Sequence, residues 1–186
     1  MSTPRDDEGI REIGRTTVRS GRKFDFEVVK VQMPTGRTIE VDLVRHGGAA
    51  VILPILDDGK GRQVVFVRNH RYSIARPLLE IPAGTLEKGE DPIACAGREL
   101  IEETGYRADR VAPLVEFFPS PGMSDERMFT FVATGLTHVG QDLEEDESIE
   151  VEIVPAAEAL AMASDGRLED GKSILAILLA ARLGFL

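Results

Sequence analysis

Residues 84–106 read GTLEKGEDPIACAGRELIEETGY, and this one stretch governs how the rest of the chain is interpreted. Gly84 and Gly89 bracket a short loop in which bare backbone can turn sharply or approach a ligand closely. Asp91 followed by Pro92 has the form of an N-cap with proline at the first helical position, so a helix is expected to start there. Gly105 is expected to end it. At helical spacing Ile93, Gly97, Leu100, Ile101 and Thr104 form the expected buried stripe. That leaves Glu99 and Glu103 one turn apart on another face, with Glu102 beside them. Carboxylates crowded on one face repel one another, so a cation is expected among them. Oxygen-only ligands suit a hard ion, Mg²⁺ or Mn²⁺, whose remaining positions go to water and phosphate oxygens. Arg98 is expected to grip Glu90 with two prongs and so tie the loop to the helix.

Composition narrows the partners. The chain has 186 residues, 42% hydrophobic and 29% charged, enough for one globular unit with a real core. A formal charge of −10 disfavours a nucleic-acid backbone or an anionic membrane surface as main partner. A phosphate-bearing small molecule then needs a metal ion to shield it. The single cysteine, Cys95, rules out an intramolecular disulfide, fits a reducing cytoplasm, and is read as a small packing residue. The polar start MSTPRDDEGIREIG has no apolar core of an export signal, and residues 174–186 are too short to span a bilayer and are interrupted by Arg182.

Along the chain, residues 1 to about 15 lack periodicity and are expected to be a frayed or extended arm. Residues 16–18, 24–33 and 38–44 alternate at period two, with Pro34-Thr35-Gly36 as a turn, and predict a small antiparallel sheet. Three strands cannot bury their own face, so the sheet is expected to pack on the rest of the chain or on a second subunit. The apolar run 49–56 predicts a central strand, and 63–68 its neighbour. Arg71 at a strand end and Glu80 just before the glycine loop are expected to face the cleft of the carboxylate helix, whereas His70 is read as an ordinary loop histidine.

Beyond the helix, residues 111–118 and 128–136 predict strands flanking a stiffened loop, PSPGMSDE at 119–126, which is expected to wall a substrate site. Loop Met123 and nearby Phe118 are candidates to meet a base or ribose. The acidic run 141–148 is either a solvated loop or the source of a carboxylate base, since it directly precedes the strand at 149–154. Helices are expected over about 155–163 and 173–183.

A pair of glutamates four apart is ordinarily just a solvated helix face. Here a glycine, five residues, Glu90, seven residues and then Arg98-Glu99-Leu100-Ile101-Glu102-Glu103-Thr104-Gly105 coincide at fixed spacing, and the segment resembles the Nudix box of Nudix hydrolases. The Leu79-Glu80-Ile81-Pro82-Ala83-Gly84 lead-in, Arg71, and Ser120-Pro121-Gly122-Met123-Ser124-Asp125-Glu126 resemble the ADP-ribose pyrophosphatase branch, with Pro121 about where that branch carries a marker proline. Asn69-His70-Arg71 stands where the branch has Gln-Tyr-Arg.

The resemblance implies an α/β fold: a Nudix-type α/β/α sandwich with a mixed sheet at 47–186, preceded at 1–46 by an arm and a small antiparallel β subdomain that makes a homodimer. It implies hydrolysis of ADP-ribose to AMP and ribose 5-phosphate. By the same resemblance, Glu99, Glu103, Glu147 and the Ala83 carbonyl hold metal. Glu102, Glu103, Arg98, Glu145 and Glu147 form the catalytic set, and Arg71, Glu80, Pro121 and Met123 contact substrate. The same box acting on another nucleotide sugar, GDP-mannose or ADP-glucose, or on a nucleoside triphosphate, is the second reading. A non-catalytic ligand sensor is the third, disfavoured by the complete set of carboxylates and by the lack of a basic patch.

Overall fold

The computed structural model describes residues 9–59, 61–143 and 148–186. The chain divides into two compact units, the first made of residues up to Gly47 together with Ser120–Glu126, the second of Gly48–Pro119 and Arg127–Leu186.

The first unit is a three-stranded antiparallel sheet, β1 Arg11–Ser20, β2 Phe24–Gln32 and β3 Thr38–His46, in that order. The expected arm is shorter than its composition suggests, because β1 begins at Arg11, opposite Gln32. Its residues are nearly all exposed, so no period-two pattern marks it. Cross-strand polar contacts hold it instead. Arg11 donates to Gln32 at 2.6 Å, and Arg15 to the buried Glu27 at 2.6 Å, where Arg45 also arrives at 3.3 Å. The segment Ser120–Glu126 is fastened to β3: Val44 N–H donates to the Met123 carbonyl at 2.8 Å and His46 N–H to Asp125 Oδ1 at 2.8 Å. The Arg45 guanidinium pairs with the same Asp125 carboxylate.

The second unit contains β4 Ala49–Asp57, β5 Arg62–Arg71, β6 Arg76–Glu80, β7 Ala83–Thr85, α1 Pro92–Thr104, β8 Tyr106–Phe117, β9 Met128–His138, β10 Ile149–Pro155, α2 Ala156–Asp165 and α3 Gly171–Arg182. The sheet order is β10-β5-β4-β9-β8, with β6 added to β5 and β7 to β4. Only the β4–β9 pairing is parallel, so the sheet is mixed as expected. The apolar run at its centre, β4, explains the layers. Ala50 and Ile52 point to one face, where Cys95, Ala96 and Leu100 of α1 meet Phe131 and Ala133. Val51, Leu53 and Ile55 point to the other, where α2 and α3 supply Ala159, Ala163, Ala176, Ile177 and Ala180. A strand covered on both sides by helices has no solvent face, hence an unbroken apolar run rather than alternation. The α/β/α layering expected from the sequence is therefore present.

β8 starts at Tyr106, five residues before the expected strand, because its first half, YRADR, carries too many charges to read as a strand. The short strands β6 and β7 were not expected. Ile81 and Pro82 separate them, and the Pro82 carbonyl accepts a hydrogen bond from Ile52 N–H at 2.9 Å, so the kinked segment still satisfies the central strand. Among the described residues no helix is long and apolar enough to cross a membrane.

Candidate active site

The site is built on α1. Asp91 caps it from extended backbone (φ −72, ψ 128), accepting from Ile93 N–H at 3.0 Å, with Pro92 at the first position. Gly105 ends it at φ 73, donating to the Ile101 carbonyl at 2.8 Å. The buried face is only partly the expected one, keeping Leu100 and Thr104. It comprises Cys95, Ala96, Glu99, Leu100, Glu103 and Thr104, while Ile93 is 42% exposed. The helix is turned so that Glu99 and Glu103, 8% and 4% exposed, face the chain at β7. Burying carboxylates is costly unless each finds polar partners. Both have them.

Glu103 Oε2 accepts from Ala83 N–H at 3.0 Å, one residue from Gly84. The Glu99 carboxyl carbon lies where a Gly84 side chain would begin, since a Cβ built there would stand 1.8 Å from it. Only glycine lets this carboxylate settle against the backbone. Arg98 lies across the cluster. Its Nη1 donates to Glu99 Oε1 and Glu102 Oε2, both at 2.7 Å, and its Nε and Nη2 take the two Glu90 oxygens at 3.1 and 3.2 Å. The Arg98 hydrogen bond, followed by the Glu87 N–H, holds Glu90 below the usual carboxylate range. The Glu90 hydrogen bond in turn raises the guanidinium further.

Cys95 lies fully buried beneath this layer. Burial first, then the Glu99 charge, push its thiol up to about 12, so it is an inert packing residue.

The donors suit a hard divalent cation. Glu99, Glu103 and the carbonyl of Ala83 all offer oxygen donors, and the space over Gly84 is kept open for a carboxylate. A guanidinium now bridges Glu99 and Glu102, which marks the position as one that attracts positive charge. Among the described residues no three His, Cys, Asp or Glu side chains stand together as a ready-made metal cage. Arg98 and the Ala83 N–H take those oxygens instead.

Arg71 ends β5 and Glu80 ends β6. Glu80 is 1% exposed and holds Arg71 with both oxygens, Nε to Oε1 at 2.6 Å and Nη2 to Oε2. The same Oε2 also pairs with Lys172. Burial works to raise the Glu80 pKa, but Arg71 and Lys172 outweigh it and hold it low. Glu80 thus grips Arg71, whose own side chain is 41% exposed. His70 is exposed and packs edge-on against Tyr72 at 5.2 Å.

Pro121 and Met123 belong to the first unit and are both exposed, Met123 by 56%, as is Phe118 of the second unit by 55%. Glu145 and Glu147 lie outside the described residues. Lys172, Asp170 and Ser173 escaped sequence reading, although a lysine in the first turn of α3 opposes the helix dipole and so signals a nearby acid. A cleft of about 530 Å³ opens between the start of α1 and residues Pro113, Val115, Phe129 and Phe131. It is lined by none of the candidate residues.

Comparison with known proteins agrees with this geometry. The NUDIX domain profile matches residues 45–176. The chain is 37% identical over 169 residues, 90% of each chain, to the ADP-ribose pyrophosphatase of Bacillus subtilis (strain 168). It is 44% identical over 164 residues, 82% of this chain and 80% of the relative, to the GDP-mannose pyrophosphatase of Yersinia pestis (strain Pestoides F). A crystal structure of an ADP compounds hydrolase superposes with a TM-score of 0.80 over 94% of both chains at 22% identity, a likeness of fold. With the box complete from Gly84 to Gly105, the matched profile covering most of the chain, and relatives of this identity on either side, the chain belongs to the Nudix hydrolase family.

Proposed function

We propose that this protein hydrolyses the pyrophosphate bond of a nucleoside diphosphate derivative, with ADP-ribose as the leading substrate and AMP and ribose 5-phosphate as products. The observation that carries the reading is the buried Glu99–Glu103 pair closing on Ala83 and Gly84. A water oxygen bonds to one phosphorus while the bridging P–O bond breaks, and each half leaves with one phosphate.

In this reading Glu99, Glu103, Glu147 and the Ala83 carbonyl hold Mg²⁺, with Mn²⁺ as a substitute. When bound, the cation neutralises phosphate charge and acidifies the attacking water. Arg71 binds a phosphate oxygen, oriented by Glu80. Arg98 holds the box carboxylates in position. Glu102 bridges or lies near the metal, Glu145 or Glu147 accepts the proton, and Pro121 and Met123 contact the nucleoside. GDP-mannose is the second substrate reading, favoured by the Yersinia relative, and ADP-glucose shares its chemistry.

We also assign a homodimer through the first unit, whose sheet leaves Ile13, Val18, Phe24 and Phe26 between 37% and 59% exposed. A cytoplasmic setting fits the single buried Cys95.

The test is product release from ADP-ribose, ADP-glucose, GDP-mannose, NADH and a nucleoside triphosphate, with and without Mg²⁺. ADP-ribose turned over fastest, only with metal, supports the reading. Preference for GDP-mannose moves the substrate and leaves the chemistry, whereas no turnover of any of them favours a ligand sensor. Sedimentation as a compact monomer near the 20.3 kDa chain mass would refute the dimer.

A further inference from the structure

We infer that Lys172, at the start of the C-terminal helix, is a positioning residue: through Glu80 it fixes the guanidinium of Arg71 and with it the affinity for the phosphate-bearing substrate. The inference rests on the assignment of Arg71 as a phosphate contact.

The geometry is a closed ring joining two distant parts of the chain. Lys172 is 8% exposed, and its Nζ reaches both Glu80 Oε2 and, at 3.0 Å, Asp170 Oδ2. Asp170 is the N-cap of α3, accepting from Ser173 N–H at 3.0 Å and from the Ser173 hydroxyl. The Ser173 hydroxyl oxygen accepts in turn from Ile81 N–H at 2.8 Å. Two successive residues ahead of the glycine loop, Glu80 and Ile81, are therefore bonded to one helical turn, 92 positions away in sequence.

Two residues further on, Ala83 N–H meets Glu103. The charges balance, with Arg71 and Lys172 against Glu80 and Asp170. A lysine in the first turn works against the helix dipole, so its presence is unfavourable for α3 alone and is compensated by Glu80 and Asp170.

Without Lys172, buried Glu80 is left with Arg71 as its single cation and Asp170 loses its own, so the bidentate Arg71–Glu80 pair is no longer braced from the helix. The guanidinium is then misaligned for phosphate, while the backbone bond from Ala83 N–H to Glu103 remains. Lys172→Met keeps the length and apolar stem of the side chain. It should raise KM about tenfold and leave kcat within about twofold, and Lys172→Arg should restore KM. In an Arg71→Ala background the Lys172→Met effect should vanish, because the path runs through that guanidinium.

A fall in kcat at unchanged KM, or a full effect in the Arg71→Ala background, would overturn the inference. A readout independent of turnover separates it from the proposed function: the Nε–H resonance of Arg71 in the metal-free protein. It should be slow to exchange in wild type and Lys172→Arg and lose that protection in Lys172→Met; unchanged protection there refutes the positioning role whatever the substrate proves to be. If Lys172→Met does not fold, Asp170→Asn, which keeps a good cap, is measured in the same ways and should raise KM by a smaller factor; an unchanged KM and Arg71 resonance sink the inference.

Discussion

Two clusters of carboxylates lie in the second unit, and they are held by opposite logic. Around α1, Glu90, Glu99 and Glu102 lean on one guanidinium, Arg98, and Glu103 takes a backbone N–H. At the β6–α3 contact, Glu80 and Asp170 are matched by Arg71 and Lys172. The first arrangement gathers three carboxylates on one guanidinium, which an added cation would relieve. The second is complete, and any single change unbalances it. Burial alone does not distinguish them, since Glu80, Glu99 and Glu103 are all under 9% exposed. Charge balance does, and it separates the proposed metal site from the proposed positioning joint.

The largest test of the contrast is Glu103→Gln. Activity should fall by about 10³-fold and divalent-cation binding by calorimetry should weaken. The metal-free protein should nonetheless melt higher, by about 1 kcal/mol, because one repelling charge has gone. Wild-type turnover in this variant would break the comparison at its root.

Glu80→Gln should do the reverse. Arg71 and Lys172 lose their shared anion, and chemical denaturation should show a loss of about 3 kcal/mol. The pH dependence follows from the same pair. Glu80 and Glu90 are both held low, so their stabilisation is complete above the unfolded carboxylate value of about 4.3 and disappears as pH falls through the lower folded values. Melting temperature should therefore drop steeply below about pH 4 in wild type and less steeply in Glu80→Gln. Equal slopes would remove Glu80 from the account.

Gly84→Ala comes next. The new methyl would overlap the Glu99 carboxylate, which is the end of a flexible side chain and can swing away at little cost in stability. Activity should fall about 50-fold with a stability change of about 1 kcal/mol or less; a large loss of stability would mean the carboxylate is locked in place. The smallest effect is expected at the β5–β6 turn, where Ala75 stands at φ 53. Ala75→Gly should stabilise by no more than about 1 kcal/mol and leave turnover alone.

What the sequence revealed divides along the same line. The ends of α1 were legible because Asp91-Pro92 and Gly105 are local signals, and the two-layered burial of β4 was legible in its unbroken apolar run. The rotation of α1 was not. A hydrophobic pattern assigns glutamates to solvent, whereas Glu99 and Glu103 are buried by polar partners that arrive from the β7 segment. Nor was the Lys172 ring, whose members are far apart in sequence and meet only through the fold. The start of β1 was hidden because an edge strand held by Arg11 and Arg15 carries no alternation.

The segment Ser120–Glu126 belongs with β3 through Val44, Arg45 and His46, although it interrupts the second unit between β8 and β9. A single crossover near residue 47 therefore cannot exchange one unit between relatives intact. A chimera that inherits the first 47 residues from one parent must inherit these seven as well, or Asp125 meets a foreign strand.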